Sequence, residues 1–265
     1  MDSNTYVEKI TDFCKNLDID IAKNVIAFDS ISSTNFKAKE LAQNGKEEGT
    51  VVISRVQTKG RGRFDRKWES PDGGLYFSVI LRPQVKSDKT TLLSLVAALS
   101  VCETIIALNR LSAAIKWPND VRINGKKVAG ILLESEADGN KIDFVILGIG
   151  VNLNTDVTQL SPELKSTSTS IAHEFNQSVD YYEFLKHLFL TLDKHYSIFL
   201  NQDINSILSE WKKHSDTLGR NVRVVTSSDE TVGKAFDIDE SGFLIVKTDA
   251  GDIKKITSGD CFYFE

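Results

Sequence analysis

The spacing of apolar positions changes along the chain between the helical repeat and the extended repeat, so both kinds of element are expected. Apolar side chains recur at helical intervals within residues 6–17, whereas the largely β-branched run TVVISRV at 50–56 predicts a buried strand. Further strands are predicted at 23–28, 75–81, 114–117, 121–123, 127–134 and 143–151, and helices at 34–44, 87–109, 169–176, 181–200 and 203–214.

Two of these predictions, a helix and a hairpin, indicate most about the fold. Apolar residues nearly encircle the helix predicted from Ser87 or Asp88 to about Asn109, which indicates a central, buried helix. Asn124-Gly125 lies between two predicted strands and is a strong hairpin signal. Together they predict a domain that contains both a buried helix and a pair of hairpin strands.

From Gly219 onward the pattern consists of short strands broken by glycines. They are predicted at 221–226, 231–237, 243–248 and 252–257, a spacing typical of a small β-barrel or barrel-like domain. Because so short a segment buries little surface by itself, we expect it to pack against the first domain. The predicted division is therefore residues 1–217 and 218–265.

Composition narrows the class of protein. The 265 residues include 37 acidic and 32 basic side chains, so the net charge of −5 does not favour a general affinity for nucleic acid. We expect no apolar run to approach the ~18 residues that span a membrane, and the polar N-terminus lacks a signal-peptide pattern. Three widely separated cysteines indicate free thiols in a reducing compartment. A cytoplasmic protein without a membrane partner is expected.

The first candidate for chemistry is the segment Gln57–Trp68, which combines glycines, basic residues and an aromatic side chain. Glycine lets a backbone close tightly around a ligand, and arginine presents a fork of donors to carboxylate or phosphate. The segment therefore suits an anionic ligand with an apolar body. A solvated basic loop or an RNA-binding patch explains the same residues about equally well.

Two further segments are ambiguous when each is taken alone. Lys116-Trp117-Pro118-Asn119-Asp120 ends a strand with a cation, an amide and a carboxylate, which suits phosphate and Mg²⁺, but an ordinary turn also fits. Residues 125–134 place Lys127 and Gly130 in a hairpin strand, where a glycine often marks close approach of a ligand. The chain has no GxGxxG at 148–152 and no P-loop motif, which disfavours Rossmann and P-loop enzymes.

In combination and order, these segments resemble one family, the biotin–protein ligases. The run GRGRFDRKWESPDGGLYFSVILRP is similar to the family's biotin-binding loop and the strand after it, and KWPNDVRINGKKVAGILLE to its central motif. Ser33-Thr34-Asn35 and LGIGVNLN at 147–154 match an upstream and a later segment. The resemblance covers nearly the whole chain, and its two long motifs are highly specific together.

The resemblance implies a fold and a reaction. The fold would be α+β: a class II aminoacyl-tRNA synthetase-like catalytic domain, with helices on a mixed β-sheet, followed by a small SH3-like β-barrel domain. Biotin would react with MgATP to give biotinyl-5′-AMP, and a lysine of a biotin carboxyl carrier domain would then displace AMP. Positioning and charge stabilisation would suffice without an enzyme nucleophile. The protein would be a monomer or a homodimer.

The resemblance also assigns roles to individual residues. It implies catalytic roles for Lys127, Arg63, Lys116 and Asp120. Biotin would be bound by Ser33, Thr34, Asn35, Gln57, Gly60, Arg61, Gly62, Arg63, Lys127, Gly130 and Gly148. ATP would be bound by Arg63, Trp68, Lys116, Asn119, Asp120 and Asn152, with Asp120 as a Mg²⁺ ligand.

Two departures from the family pattern affect these expectations. Asp65 stands where the family usually has a later loop glycine, which bears on the conformation of the loop. Only 32 residues precede Ser33, so a ligase without a DNA-binding domain, and without specific nucleic-acid binding, is expected. The alternatives are a lipoate ligase or octanoyltransferase, which resembles this fold, and a non-catalytic module or DNA-binding regulator.

Overall fold

The protein has an α+β fold with two β-sheets. A computed structural model describes residues 3–17, 19–138 and 141–264. In chain order the elements are α1 (Ser3–Lys15), β1 (Asn24–Ile31), α2 (Thr34–Gln43), β2 (Thr50–Gln57), β3 (Leu75–Leu81), α3 (Leu92–Asn109), β4 (Ala113–Lys116), β5 (Asp120–Ile123), β6 (Lys126–Asp138), β7 (Lys141–Val151), α4 (Pro162–Lys165), α5 (Ile171–Phe175), α6 (Tyr181–Leu200), α7 (Ile204–His214), β8 (Asn221–Val225), β9 (Glu230–Ile238), β10 (Leu244–Lys247), β11 (Ile253–Ile256) and β12 (Asp260–Phe264).

Within the described residues, the first seven strands form one mixed sheet in the order β1-β2-β3-β7-β6-β5-β4. The pair β1–β2 is parallel and the other neighbours are antiparallel. The β5–β6 hairpin turns at Asn124-Gly125, where both residues have positive φ values of 50° and 77°. That backbone matches the twist of hairpin strands, as the Asn-Gly signal predicted.

The two faces of this sheet are covered differently. Alternate residues of β3, such as Phe77 and Val79, point into the main core, which they share with α3 and α6. On the opposite face Ile80 packs against Ala38 and Ala42 of α2 in a smaller cluster. Because α2 covers one end of that face, the rest of the face is available to line a cavity.

The C-terminal strands form a five-stranded antiparallel sheet in the order β11-β10-β9-β8-β12. Its inner residues, among them Val222 and Leu244, belong to the same hydrophobic cluster as α3. The Trp117 indole N–H donates to the Gly242 carbonyl across this boundary at 3.1 Å. The C-terminal sheet therefore packs against the first domain, as its small size predicted.

Three element predictions need correction. The central helix begins at Leu92 rather than at Ser87, because residues 87–89 form a 3₁₀ turn. This turn contacts the C-terminal region, since Lys89 Nζ donates to the Glu240 carbonyl at 3.3 Å. Strand β12 and the short helix α4 were not predicted, because each offers too few residues to establish a repeat.

One apolar run does reach the ~18 residues that a membrane span needs, contrary to the expectation from the sequence. By length and composition alone, Ser87–Asn109 would be long and apolar enough, but 67% of its most apolar window is buried inside the protein. Buried core helices pass the same test. The prediction of a central, apolar helix is confirmed, and this segment is that helix.

The packing of α6 against the sheet gives a stability prediction. Phe189 is fully buried and meets Phe77 edge to face, with ring centroids 5.1 Å apart. We expect Phe189→Ala to lower the free energy of unfolding by about 3–5 kcal/mol, since it leaves a cavity in the core. Leu190→Ala, at an exposed neighbour, should change it by no more than about 0.5 kcal/mol. Equal effects in urea titrations would contradict this account of the core.

Candidate active site

A cavity of about 280 Å³ lies on the α2 face of the large sheet. Its floor is formed where three glycines meet on neighbouring strands: Gly130 of β6 pairs with Gly150 of β7, and Gly148 lies two residues earlier on β7. On the opposite face of the same strands, Ile131 and Ile149 face the core. The glycines therefore create a hollow in a sheet that is otherwise covered by side chains.

Two side chains occupy part of this hollow. The Trp68 indole lies over the floor, because a Cβ atom placed on Gly150 would be 2.7 Å from its Nε1, and one on Gly130 would be 3.0 Å from its ring. The Asn35 amide lies against Gly148 so closely that a Cβ atom there would overlap it. The Trp68 N–H is buried without a hydrogen-bond partner. The glycines thus provide a flat surface for planar groups.

At one end of the cavity, a hydrogen-bond network joins α2 to the sheet. The Asn35 amide donates to Glu134 Oε2 at 2.8 Å, and Ser78 Oγ lies 2.6 Å from Asn35 Oδ1. Glu134 in turn accepts from Arg61 Nη1 at 3.0 Å. The network fixes the direction of each polar group and leads from buried serine to a cation of the loop.

The same network holds the two ends of the Gly/Arg loop, residues 57–70. Gln57 Oε1 accepts from the Thr34 backbone N–H at 2.8 Å, while its amide donates to Ser70 Oγ at 2.9 Å. Ser33 caps α2 by accepting from the Phe36 N–H at 3.5 Å. The predicted Ser-Thr-Asn motif therefore starts a helix and presents its polar groups to the loop.

At the other end, cationic groups meet an amide and a carboxylate. Arg63 Nη1 donates to Asn119 Oδ1 at 3.0 Å, and Lys127 Nζ lies 2.6 Å from Asp120 Oδ1. Lys127 also lies 5.2 Å from the Trp68 ring centroid. Burial lowers the pKa of the Arg63 guanidinium, while nearby Asp260 and Asp120 act in the opposite direction. This end suits an anionic ligand.

Most of the predicted site residues line this one cavity, although they come from five separate stretches of sequence. The lining includes Ser33, Thr34, Asn35, Gln57, Arg61, Gly62, Arg63, Trp68, Asn119, Asp120, Lys127, Gly130, Gly148 and Asn152. Gly60 and Lys116 are not among the lining residues. A side chain at Gly60 would overlap the Trp68 carbonyl, so this glycine allows the loop to pack on itself.

Lys116 lies beside the cavity, at the contact with the C-terminal sheet. Its Nζ is 5.1 Å from the Tyr263 ring centroid, which is a cation–π distance. Burial lowers the pKa of the Lys116 ammonium, and Asp120, its cross-strand neighbour, partly opposes this effect. Lys116 therefore lies next to Asp120, one of the residues predicted to bind ATP, but its ammonium group faces Tyr263.

The loop departs from the family pattern in a way that its backbone explains. Phe64 and Asp65 both have positive φ values, 55° and 56°. Glycine adopts this conformation freely, and aspartate tolerates it better than most residues. The Asp65 side chain is exposed and lies 3.5 Å from Arg61.

Four further residues of the site were not identified from sequence. Glu134 and Ser78 complete the network around Asn35, while Arg66 and Asp260 line the cavity as an ion pair. Glu134 ends a motif that had been singled out, and strand alternation with Gly130 and Leu132 could have placed it on the same face. Asp260 offered no such signal, since it comes from the other domain.

The fold and site can now be compared with known proteins. The profile described as "Biotin/lipoate A/B protein ligase family" matches residues 27–152, and the one described as "Biotin protein ligase C terminal domain" matches residues 217–263. The first match contains the cavity floor and the loop, and the second contains the five-stranded sheet. The class that they define is a protein ligase of the biotin and lipoate type.

Individual relatives narrow this class. The chain is 38% identical over 241 residues to the bifunctional ligase/repressor BirA of Bacillus subtilis, covering 91% of this chain and 74% of that protein. It is 36% identical to the biotin–[acetyl-CoA-carboxylase] ligase of Paracoccus denitrificans, covering 83% and 92%. The biotin protein ligase of Aquifex aeolicus solved with biotin and ATP superposes with a TM-score of 0.78 at 30% identity, covering 91% and 99%. The chain belongs to the biotin protein ligase family.

The contact between Gly148 and Asn35 gives a prediction about the site. We expect Gly148→Ala to displace the Asn35 amide and to lower the free energy of unfolding by about 1–3 kcal/mol, as overpacking does. Gly62→Ala, on the same cavity, would place its Cβ 3.4 Å from the nearest atom and should fold as stably as the parent. If both variants matched the parent in urea titrations, the floor would not be as tightly filled as described.

Proposed function

We propose that the chain is a biotin–protein ligase, which activates biotin with MgATP to biotinyl-5′-AMP and transfers biotin to a lysine of a carrier domain. One observation supports this most: a single cavity has a hydrogen-bonding end at Asn35 and a cationic end at Lys127, with a glycine floor between them. Biotin has the complementary parts, a polar ureido head, an apolar body and a carboxylate.

The network at Asn35 is the proposed binding site for the polar head. Its donors and acceptors are already directed by Ser78 and Glu134, so little ordering would accompany binding. The indole of Trp68 and the floor at Gly130 and Gly148 would enclose the apolar body. Pre-organised polar groups in a mainly apolar hollow are typical of small-molecule sites.

At the other end, Arg63 and Lys127 would bind the biotin carboxylate and the α-phosphate of ATP. Both cations now contact protein groups, Asn119 and Asp120, and an anionic ligand would take over those contacts. Asn152 is fixed by its amide, which donates to the Thr169 carbonyl at 3.0 Å. These residues would hold the two reacting groups together, which is the main requirement for a displacement at phosphorus.

Mg²⁺ would arrive with ATP and bind phosphate oxygens. Asp120 is the carboxylate that fits such an ion, because it lies on the cavity beside Lys127, and Mg²⁺ needs few protein ligands when phosphates and waters supply the rest. Among the described residues, a group of side chains that could hold a metal ion lies outside the cavity, on α3 and α7: Glu103, Glu210 and His214. It takes no part in the proposal.

The proposed partner is the biotin carboxyl carrier domain of a carboxylase. We further propose a cytoplasmic monomer or homodimer without specific nucleic-acid or membrane binding. The net charge of −5 supports the absence of general DNA affinity. We also propose that the catalytic domain is residues 1–217 and that 218–265 is a separate unit; the start of β8 at Asn221 supports this division.

The exchange of labelled pyrophosphate into ATP tests this function. We expect exchange that requires both biotin and Mg²⁺, since adenylation is reversible when pyrophosphate is present. Lipoate is the matched control substrate, because the family profile covers biotin and lipoate ligases. Exchange with lipoate but not with biotin would replace the proposal by its alternative, and no exchange with either would refute both.

The position of Lys127 at the cationic end of the cavity predicts that removing its charge slows the reaction. We expect Lys127→Ala to fold and to lower biotin-dependent exchange about a hundredfold to a thousandfold, since it removes a charge that stabilises the transition state. Lys126→Ala is the matched control, because the neighbouring side chain is exposed. Near-normal exchange in folded Lys127→Ala would remove Lys127 from the proposed mechanism.

A further inference from the structure

One residue of the cavity comes from the C-terminal sheet. Asp260 is the first residue of β12, and it lines the cavity together with the Gly/Arg loop. The next residue, Cys261, pairs with Val224 of β8 and points into the core. Asp260 is therefore anchored by a strand of one domain and presented to the ligand site of the other.

Asp260 binds the loop through both carboxylate oxygens. Arg66 Nη1 donates to Asp260 Oδ1 at 2.9 Å, and Arg66 Nη2 donates to Oδ2. The preceding carbonyl, of Gly259, lies 3.4 Å from both terminal nitrogens of Arg63. Two consecutive residues of the C-terminal sheet thus contact two arginines of the loop. A bidentate pair of this kind fixes orientation as well as distance.

The backbone between these arginines forms a tight turn. The Gly62 N–H donates to the Arg66 carbonyl at 2.7 Å, and the Arg66 N–H donates to the Arg63 carbonyl at 3.2 Å. Phe64 and Asp65 within it have left-handed backbones. Because the turn is closed, a contact that fixes the Arg66 side chain also fixes the direction of Arg63 towards Asn119.

Charge supports the same arrangement. The hydrogen bond from Arg66 holds the pKa of the Asp260 carboxyl below its usual value, so Asp260 is ionised at neutral pH. Asp260 also offsets the burial that lowers the pKa of Arg63. The C-terminal sheet therefore supplies negative charge beside both Arg63 and Arg66.

The far end of the same strand contacts the other side of the site. Tyr263 lies under the Lys116 ammonium at 5.1 Å and is held by Thr217, whose Oγ1 is 2.8 Å from the Tyr263 hydroxyl. Strand β12 thus touches the loop at Asp260 and the Lys116 region at Tyr263. A single strand of the C-terminal sheet connects both groups of cations.

We propose that Asp260 is a positioning residue for adenylation: through Arg66 it holds the 62–66 turn over the cavity, so that Arg63 is directed at the reacting phosphate. This inference rests on the proposed function. In this proposal Asp260 acts on the reaction only by positioning the loop. It acts through Arg66, and the contact between the two domains is thereby part of the catalytic arrangement.

The test compares Asp260→Asn with the parent in biotin-dependent pyrophosphate exchange. Removing the charge of the partly buried Asp260, which binds the exposed Arg66 through both oxygens, should lower kcat/KM for ATP about tenfold. Trypsin cleavage within residues 61–67 of the ligand-free protein should become faster, while the melting temperature stays unchanged. Glu230→Gln is the matched control, because it neutralises an exposed ion pair of the same sheet, 3.2 Å from Arg223.

A second variant tests whether Arg66 carries the effect. Arg66 is an exposed loop side chain, so we expect Arg66→Gln to leave the fold intact. It should lower kcat/KM as much as Asp260→Asn does, and the double variant should be no worse than either single one. Additive losses, or parent-like kinetics and cleavage in Asp260→Asn, would overturn the inference. If the parent itself showed no exchange, the proposed function would fail, and the cleavage assay would still decide whether Asp260 holds the loop.

Discussion

The absence of side chains at three positions of the central strands is the constraint on which the site depends. Gly130, Gly148 and Gly150 lie in a sheet whose opposite face belongs to the core. Any side chain there would meet Asn35 or Trp68, so the hollow, the network and the indole above it exist together. The long apolar helix α3 makes this possible, because it fixes the strands from the other side.

The second property of the site is that three of its cations form ion pairs with carboxylates of the protein. Lys127 is paired with Asp120, Arg61 with Glu134 and Arg66 with Asp260. These pairs limit the cost of placing several positive charges around one cavity. Arg63 differs, since its partners are an amide and a carbonyl. Arg63 can therefore bind an anion without breaking an ion pair of its own.

Much of this fold was predictable from periodicity. Strand β3 was expected at 75–81 and is found there, because its apolar run is bounded by glycines and a proline. The two domains' contact at the site was not predictable, since Asp260 reaches Arg66 across 194 positions of sequence. Lys116 shows the same limit: its motif marked the region, but the direction of its side chain depends on Tyr263. Local patterns identify which residues can act, whereas tertiary contacts decide where they point.

The most direct test of the account is the complete reaction on a carrier domain. Purified protein, biotin and MgATP would be incubated with the carrier domain of a biotin-dependent carboxylase, and the product would be weighed by intact mass spectrometry. The account predicts addition of one biotinyl group to the carrier's target lysine, and none when that lysine is replaced by arginine. A carrier domain that stays unmodified while the ligase of Paracoccus denitrificans modifies it would contradict the central claim.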